Sequence, residues 1–456
     1  MENRTTPLTK FLSSMKIVRI IILIFSFAIS ASASTSQMVD SIIKVMPDGK
    51  IVARSVFRYD KRGYQTAAIN YTLNRKTNKW VGTSSEEAIY DNNGNMTSKT
   101  TSIWNMTTQK WMHSEREAYR YNAQGRITSV EHIKWDKKVN KWIGIMHTTT
   151  TYGKRGEITS YQTFEWNNAQ NKWEFSNKIV YEYDNQGRKL SETTQVHDDY
   201  GWYGVSRNEY EYSGKQLSSM TNYTGNGKVW TPSEYVTYTY KQSAGDKTTI
   251  RVQKKYDKDK DTFVDYMRQT TITDRHSNQL NQKVEMFSNG KWTLSRHEKS
   301  VLKYDGDGNL IYNEALTWDG QKWIGVTKSE TTYNSYGDVM TEKELVWDTR
   351  ISDWKGITNN EYDYDEMGNM TLSVTFKWDN SARKWVKQSK TIDIYDNYHN
   401  KVNETTSSWD KMKNTWNEYY KGKFEYTYTG DDEVSSVKEY AWNGSKWKPV
   451  STTLYY

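Results

Sequence analysis

The chain has 456 residues, of which 35% are hydrophobic and 26% charged, and 20 Trp and 35 Tyr carry much of its apolar content. That supply is too thin for a sheet buried on both faces, while the wealth of Thr, Tyr, Trp and Val suits strands rather than helices. The formal charge of +8 falls to +5 once residues 1–33 are set aside; acids and bases intermix, as in Glu115-Arg116-Glu117, so no basic stripe marks a nucleic-acid partner.

Lys16 and Arg19 precede the apolar run from Ile20 to Ile29, and Ala31-Ser32-Ala33 follows with small residues for cleavage. Residues 1–33 therefore read as a signal peptide, too short and wrongly flanked for a membrane helix. The expectation is an exported protein (secreted, periplasmic or on the cell surface) that starts at Ser34 and has no later membrane span. Without cysteine it has no disulfide framework, so stability must come from packing or from repetition.

Residues 34–62 read as a strand pair around the Pro47-Asp48-Gly49 turn. From 63 to 456 one unit repeats. Tyr-Asp-x-x-Gly and its variants end at Gly63, Gly94, Gly125, Gly156 and Gly187, each 31 residues after the last. The series continues through Gly214, Gly245, Gly308, Gly337 and Gly368. Ser277 and His399 stand where glycine is due, and the asparagines after them, Asn278 and Asn400, are expected to take the positive φ with a shifted register. The last unit, around Gly430 to Asp432, is stretched by about two residues. Thirteen units result.

Each unit has two turns and two runs of alternating residues, a strand–turn–strand–turn pattern. The first turn is opened by Asp or Asn and closed by Gly. The second lies between paired aromatics: Trp104 and Trp111, Trp135 and Trp142, Trp166 and Trp173, Trp347 and Trp354, Trp378 and Trp385, Trp409 and Trp416. The gap shortens in Trp318/Trp323, Trp442/Trp447 and Phe287/Trp292. Period-two parity makes these rings cross-strand partners. Counting even steps from Trp173 through Phe175, Ile179, Tyr181 and Tyr183 puts a Trp row and a Tyr row on one face, with Thr, Ser, Lys and Glu opposite. "MTLSVTFKW" likewise aligns Met370, Leu372, Val374, Phe376 and Trp378.

The stretch "YEYDNQGRKLSETTQ", Tyr181 to Gln195, resembles the tyrosine-aspartate (YD) repeat of Rhs and teneurin proteins, whose core is Tyr-x-Tyr-Asp-x-x-Gly-Arg-Leu followed by a strand. That resemblance implies an antiparallel sheet coiled into a hollow shell and covers nearly all of the mature chain. The Trp-to-Trp hairpin is not part of the YD core. The chain is also similar in style to uncharacterised secreted repeat proteins of Bacteroidota, which implies no known activity.

The expected fold is thus all-β, an antiparallel up-and-down meander of about 28 strands, coiled into a curved ribbon or shell with its Trp/Tyr face inward. Chemistry-bearing signals are few. "DKDKD" (Asp257, Asp259, Asp261) hints at calcium but lacks the rest of an EF-hand loop. The histidines, among them His113, His132, His147 and His197, fall in different units without ligand spacing, and no phosphate loop or nucleophile elbow occurs. No cofactor or metal is assigned, and the reading is of a non-catalytic binding scaffold. The Trp pairs either fill the inner side of the coiled sheet or form an aromatic platform for sugar rings, so the partner is a glycan or an extracellular protein. An encapsulating shell of YD type and a carbohydrate-active protein are the alternatives. A lipid-facing barrel conflicts with polar runs such as Thr97 to Ser102.

Overall fold

The computed structural model describes residues 38–456; the proposed signal peptide lies outside the described residues. Alternation and turn chemistry produce 28 strands and no helix among them, from β1 (Ser41–Val45) and β2 (Ile51–Tyr59) to β28 (Trp447–Tyr455). Every strand pairs antiparallel with its sequence neighbours, for example β3 (Gln65–Asn74) with β4 (Lys79–Tyr90). The expected strand pair at 34–62 is β1–β2.

The sheet does not end as an open ribbon. β1 also pairs antiparallel with β28, Ile42 opposite Tyr455 and Lys44 opposite Thr453, and so closes the meander into a barrel. Antiparallel closure requires an even strand number, which two strands per unit supply. At about 4.8 Å per strand and a tilt of about 40°, a round wall of this many strands has a diameter of roughly 55 Å. The wall is one sheet thick. The chain exposes 30636 Å², against about 18,000 Å² for a compact protein of its mass, and 37 fully extended residues would add only roughly 6,000 Å². Val236 and Ser407 are the largest fully buried side chains.

One correction reaches every unit. The ladder of each Trp-end hairpin slips by one residue, three positions after the second aromatic: Phe175 faces Phe164, but Asn177 faces Thr163, leaving Ser176 as a bulge. The same slip occurs at Ser114, Ile145, Ile357 and Gln388. A bulge reverses parity beyond it. Trp173 and Phe175 therefore share a face with Lys178 and Val180, whereas Ile179, Tyr181 and Tyr183 lie on the other. The Trp and Tyr rows occupy opposite faces, so they cannot both point inward. A second bulge follows most Gly turns; at Thr371 it removes Met370 from the face of Leu372, Val374, Phe376 and Trp378.

The Gly turns follow from their sequence. Asp60 Oδ1 accepts the backbone N–H groups of Arg62 (2.9 Å) and Tyr64 (3.0 Å), and Gly63 N–H donates to the Asp60 carbonyl. Gly63 has φ +87°, where a side chain is strained. Contrary to expectation, Ser277 (φ 69°) and His399 (φ 62°) adopt this conformation themselves. Asn278 and Asn400 instead donate their N–H to Asp274 and Asp396, so the register does not shift.

Because units touch mainly their neighbours, removing one whole unit, Asn95 to Gly125, is expected to leave a folded, closed barrel of two fewer strands. Removing one strand and its turn makes the closing pair parallel, and the seam should be lost. Circular dichroism with limited proteolysis compares the two; equal protease resistance would contradict the closure.

The tryptophan ladder as candidate functional site

The Trp-end hairpins bring the sequence-singled residues together in pairs. Trp104 lies opposite Trp111, Trp135 opposite Trp142, Trp166 opposite Trp173, Trp347 opposite Trp354, Trp378 opposite Trp385 and Trp409 opposite Trp416. All six pairs are edge-to-face, with centroids 5.0–5.3 Å apart. Such a pair contributes about 0.5–1.5 kcal/mol beyond area burial.

Several hairpins also lean on the one before them. The second residue after the second aromatic is often glycine: Gly82, Gly144, Gly204, Gly325 and Gly356, in "WVG", "WIG", "WYG", "WIG" and "WKG". A Cβ on Gly82 would lie 2.7 Å from Trp104 Cε3, and one on Gly356 would lie 2.7 Å from Trp378 Cε3. The glycine is a socket for the next pair. This fivefold Trp-x-Gly pattern is the sequence signal of the socket. Across the Gly82 socket, Trp111 Nε1 donates to the Tyr71 hydroxyl at 3.0 Å, and in another unit Trp173 Nε1 donates to Glu131 at 2.7 Å.

A cation covers many second tryptophans. Arg116 stands over Trp142 (5.1 Å), Lys328 over Trp354 (5.2 Å) and Lys390 over Trp416 (5.0 Å). Each is five residues past the preceding unit's second tryptophan, an odd step that only the bulge brings onto the Trp face. Such contacts are worth about 0.5–1 kcal/mol at partly exposed sites. Edge, socket and cation each cover part of the indole surface that a ligand would need.

The Tyr row couples units on the other face. Tyr121, Tyr152 and Tyr183 donate their hydroxyls to the carbonyls of Met96, Ile127 and Ile158 (2.7, 2.7 and 2.9 Å). Each carbonyl immediately precedes a bulge, where the ladder is disrupted. Burial raises the Tyr121 and Tyr183 phenols, with the acids Asp91 and Glu157 adding to it, so both remain donors at neutral pH.

The ladder changes at β10 (Lys172–Tyr183) and its neighbours. Phe175 occupies the socket position, the following hairpin pairs His197 with Trp202, and its loop is shorter. Phe175 lies 5.3 Å from Phe164, 5.2 Å from His197 and 5.7 Å from Trp202, yet remains 50% exposed. It floors a cleft of about 480 Å³ walled by Phe164, Trp173, His197, Asp198, Asp199, Lys172 and Glu174. Beside it His147 stacks on Phe164 at 4.3 Å; burial lowers its pKa, and its Nδ1 and Trp166 Nε1 are buried without a partner among the described residues.

The remaining candidates are structural in their contacts. In "DKDKD", Asp257 accepts the N–H groups of Asp259 and Lys260 and the Lys260 ammonium, while Tyr256 donates to Asp261. These carboxylates close an ordinary Trp-end loop. His132 pairs with Glu115, and no cluster of three or more metal-binding side chains occurs among the described residues.

No protein-family model and no curated protein matches the chain. Among solved structures, a DUF3836 family protein from Parabacteroides distasonis is 19% identical over 22% of this chain and 94% of its own, with a TM-score of 0.18. The TcdB2-TccC3-TEV structure is 13% identical and covers 99% of this chain, which spans 28% of it (TM-score 0.21). A porin-like protein from Bacteroides uniformis is 10% identical over 81% of this chain and 95% of its own (TM-score 0.12). None superposes as a whole, so the functional reading rests on this chain's own residues.

Gly356→Ala tests the socket. In an open strand this change is neutral or favourable, but against Trp378 and Trp385 it should cost about 1–3 kcal/mol. Most of that cost should vanish in a Trp385→Ala background, as a double-mutant denaturation cycle would measure. Additive effects would show that the rings do not rest on Gly356.

Proposed function

We propose that the chain is an exported, non-catalytic binding scaffold, and that the Phe175 cleft is where it takes its ligand. The observation that carries this is the break in the ladder. In the regular units the aromatic rings pack on one another, on glycine sockets or beneath cations; at Phe175 a ring is half exposed beside carboxylates. An exposed ring flanked by Asp198 and Asp199 suits a sugar, whose C–H face stacks while its hydroxyls donate to the acids. The ligand class is therefore a glycan, free or carried by an extracellular protein.

The faces support a water-filled rather than a lipid-embedded barrel. On β6 (Lys110–Tyr121) one face carries His113, Arg116 and Arg120 and the other Glu115 and Glu117, so neither offers the apolar band that lipid requires. No helix among the described residues is long and apolar enough to cross a membrane. Export rests on the Lys16–Ala33 pattern; a mature N-terminus at Ser34 is expected, and retention of residues 1–33 would contradict it. The second reading, a YD-like shell around a passenger, is favoured by the closed, one-sheet wall.

Glycan-array binding by the purified protein tests the first reading. Phe175→Ala should lower binding of the best glycan at least about tenfold, the scale of losing one stacking contact worth about 1–3 kcal/mol, with the melting temperature nearly unchanged. Binding that survives Phe175→Ala but is lost with Asp198→Ala and Asp199→Ala would assign the acids alone; binding unaffected by all three would remove the cleft from the account.

A further inference from the structure

The meander sends all Trp-end loops to one rim and all Gly turns to the other, and the two rims differ in charge. Between the paired aromatic positions of the thirteen Trp-end hairpins lie 19 Lys/Arg and 11 Asp; in the thirteen Gly turns lie 8 Lys/Arg and 14 Asp/Glu. The imbalance is concentrated. Eight loops that adjoin across the β1–β28 seam, the β1–β2 turn at 46–50 and the hairpins at 73–80 to 166–173 and 378–385 to 442–447, hold 14 Lys/Arg against four Asp. On the other rim, the five successive turns between Tyr304 and Val434 hold nine Asp/Glu and no Lys or Arg.

Both arcs also present apolar tips. Met106 (62% exposed), Val139 (57%) and Met412 (95%) stand on the basic arc, and Tyr336 (83%), Met367 (46%) and Tyr398 (50%) on the acidic one. Lys110, Lys137, Lys138 and Lys413 make no ion pair among the described residues. An arc of like charge is costly to keep unless something of opposite sign faces it, and the molecule carries an arc of that kind at its other end.

We infer that the basic rim docks the acidic rim of a second copy, so that barrels stack head to tail. The contact is heterologous: each copy uses one rim and leaves the other free. Its repetition therefore gives an open column, not a closed dimer. The opposed arcs set the rotation between copies, and the apolar tips exclude water between them. Stacking should depend strongly on salt, because the Debye length falls from about 30 Å at 0.01 M to about 3 Å at 1 M.

Sedimentation velocity of the purified protein tests this with two charge-reversed variants. Lys137→Glu/Lys138→Glu/Lys413→Glu alters the basic arc, and Asp307→Lys/Glu366→Lys/Asp431→Lys alters the acidic one. The wild type should sediment as multimers at low salt and as monomers at high salt, and each variant alone as monomers throughout. Mixed in equal amounts, the variants should recover multimers, since each altered rim now matches the other. That recovery also shows both variants to be folded. A wild type monomeric at low salt would overturn the inference, as would a mixture that stays monomeric. So would a monomer that instead co-sediments with phosphatidylglycerol vesicles, which would make the basic rim a lipid-docking surface.

Discussion

Side chains on a strand alternate between faces, and one inserted residue reverses the alternation for everything beyond it. In this barrel that constraint recurs in every hairpin of the Trp end. The bulge after Phe175 and its counterparts send the tyrosines to the face opposite the tryptophans. They also carry Arg116, Lys328 and Lys390 onto the tryptophans of the next unit. A second bulge after the Gly turn disrupts the ladder beside a carbonyl, and a tyrosine hydroxyl of the following strand is placed to fill it. Both rows of aromatics thus act between units as well as within them.

This explains how a chain with so little buried apolar area holds a wall one sheet thick. No central core is available, so stability is distributed along two ladders. One is built from edge-to-face indoles seated on glycine and capped by cations; the other is built from phenols hydrogen-bonded to backbone. Each contact is worth on the order of 1 kcal/mol, and its effect comes from repetition. Closure by β1 removes the two free edges that an open sheet of this width would present to other chains.

Much of this was legible in the sequence. The 31-residue spacing of glycine gave the units, alternation gave the strands, and the even spacing of tryptophans gave their pairing. The facing of the tyrosines was not legible, for a definite reason. From Trp111 to Tyr121 is ten residues and from Ile127 to Trp135 is eight, both even, yet each path crosses one bulge. The two reversals cancel, so the tryptophans stay in phase and nothing in their spacing betrays the slip. Closure was hidden too, because β1 lies outside the repeat and pairs across the whole length of the chain. The Phe175 cleft was not legible, because eight of the thirteen hairpins carry a residue other than glycine at that position and Phe175 is one departure among them.

The seam between β1 and β28 is where the barrel differs most sharply from an open coil, and the absence of native cysteine makes it directly testable. Lys44 and Thr453 are opposed at a position between hydrogen-bonded pairs, where the backbones approach closely enough for a disulfide. In the Lys44→Cys/Thr453→Cys protein, mild oxidation at high dilution should give a near-complete intramolecular disulfide, seen as a faster non-reducing gel band that reductant reverses. Two free thiols, or a disulfide formed only between molecules, would show that the sheet does not close.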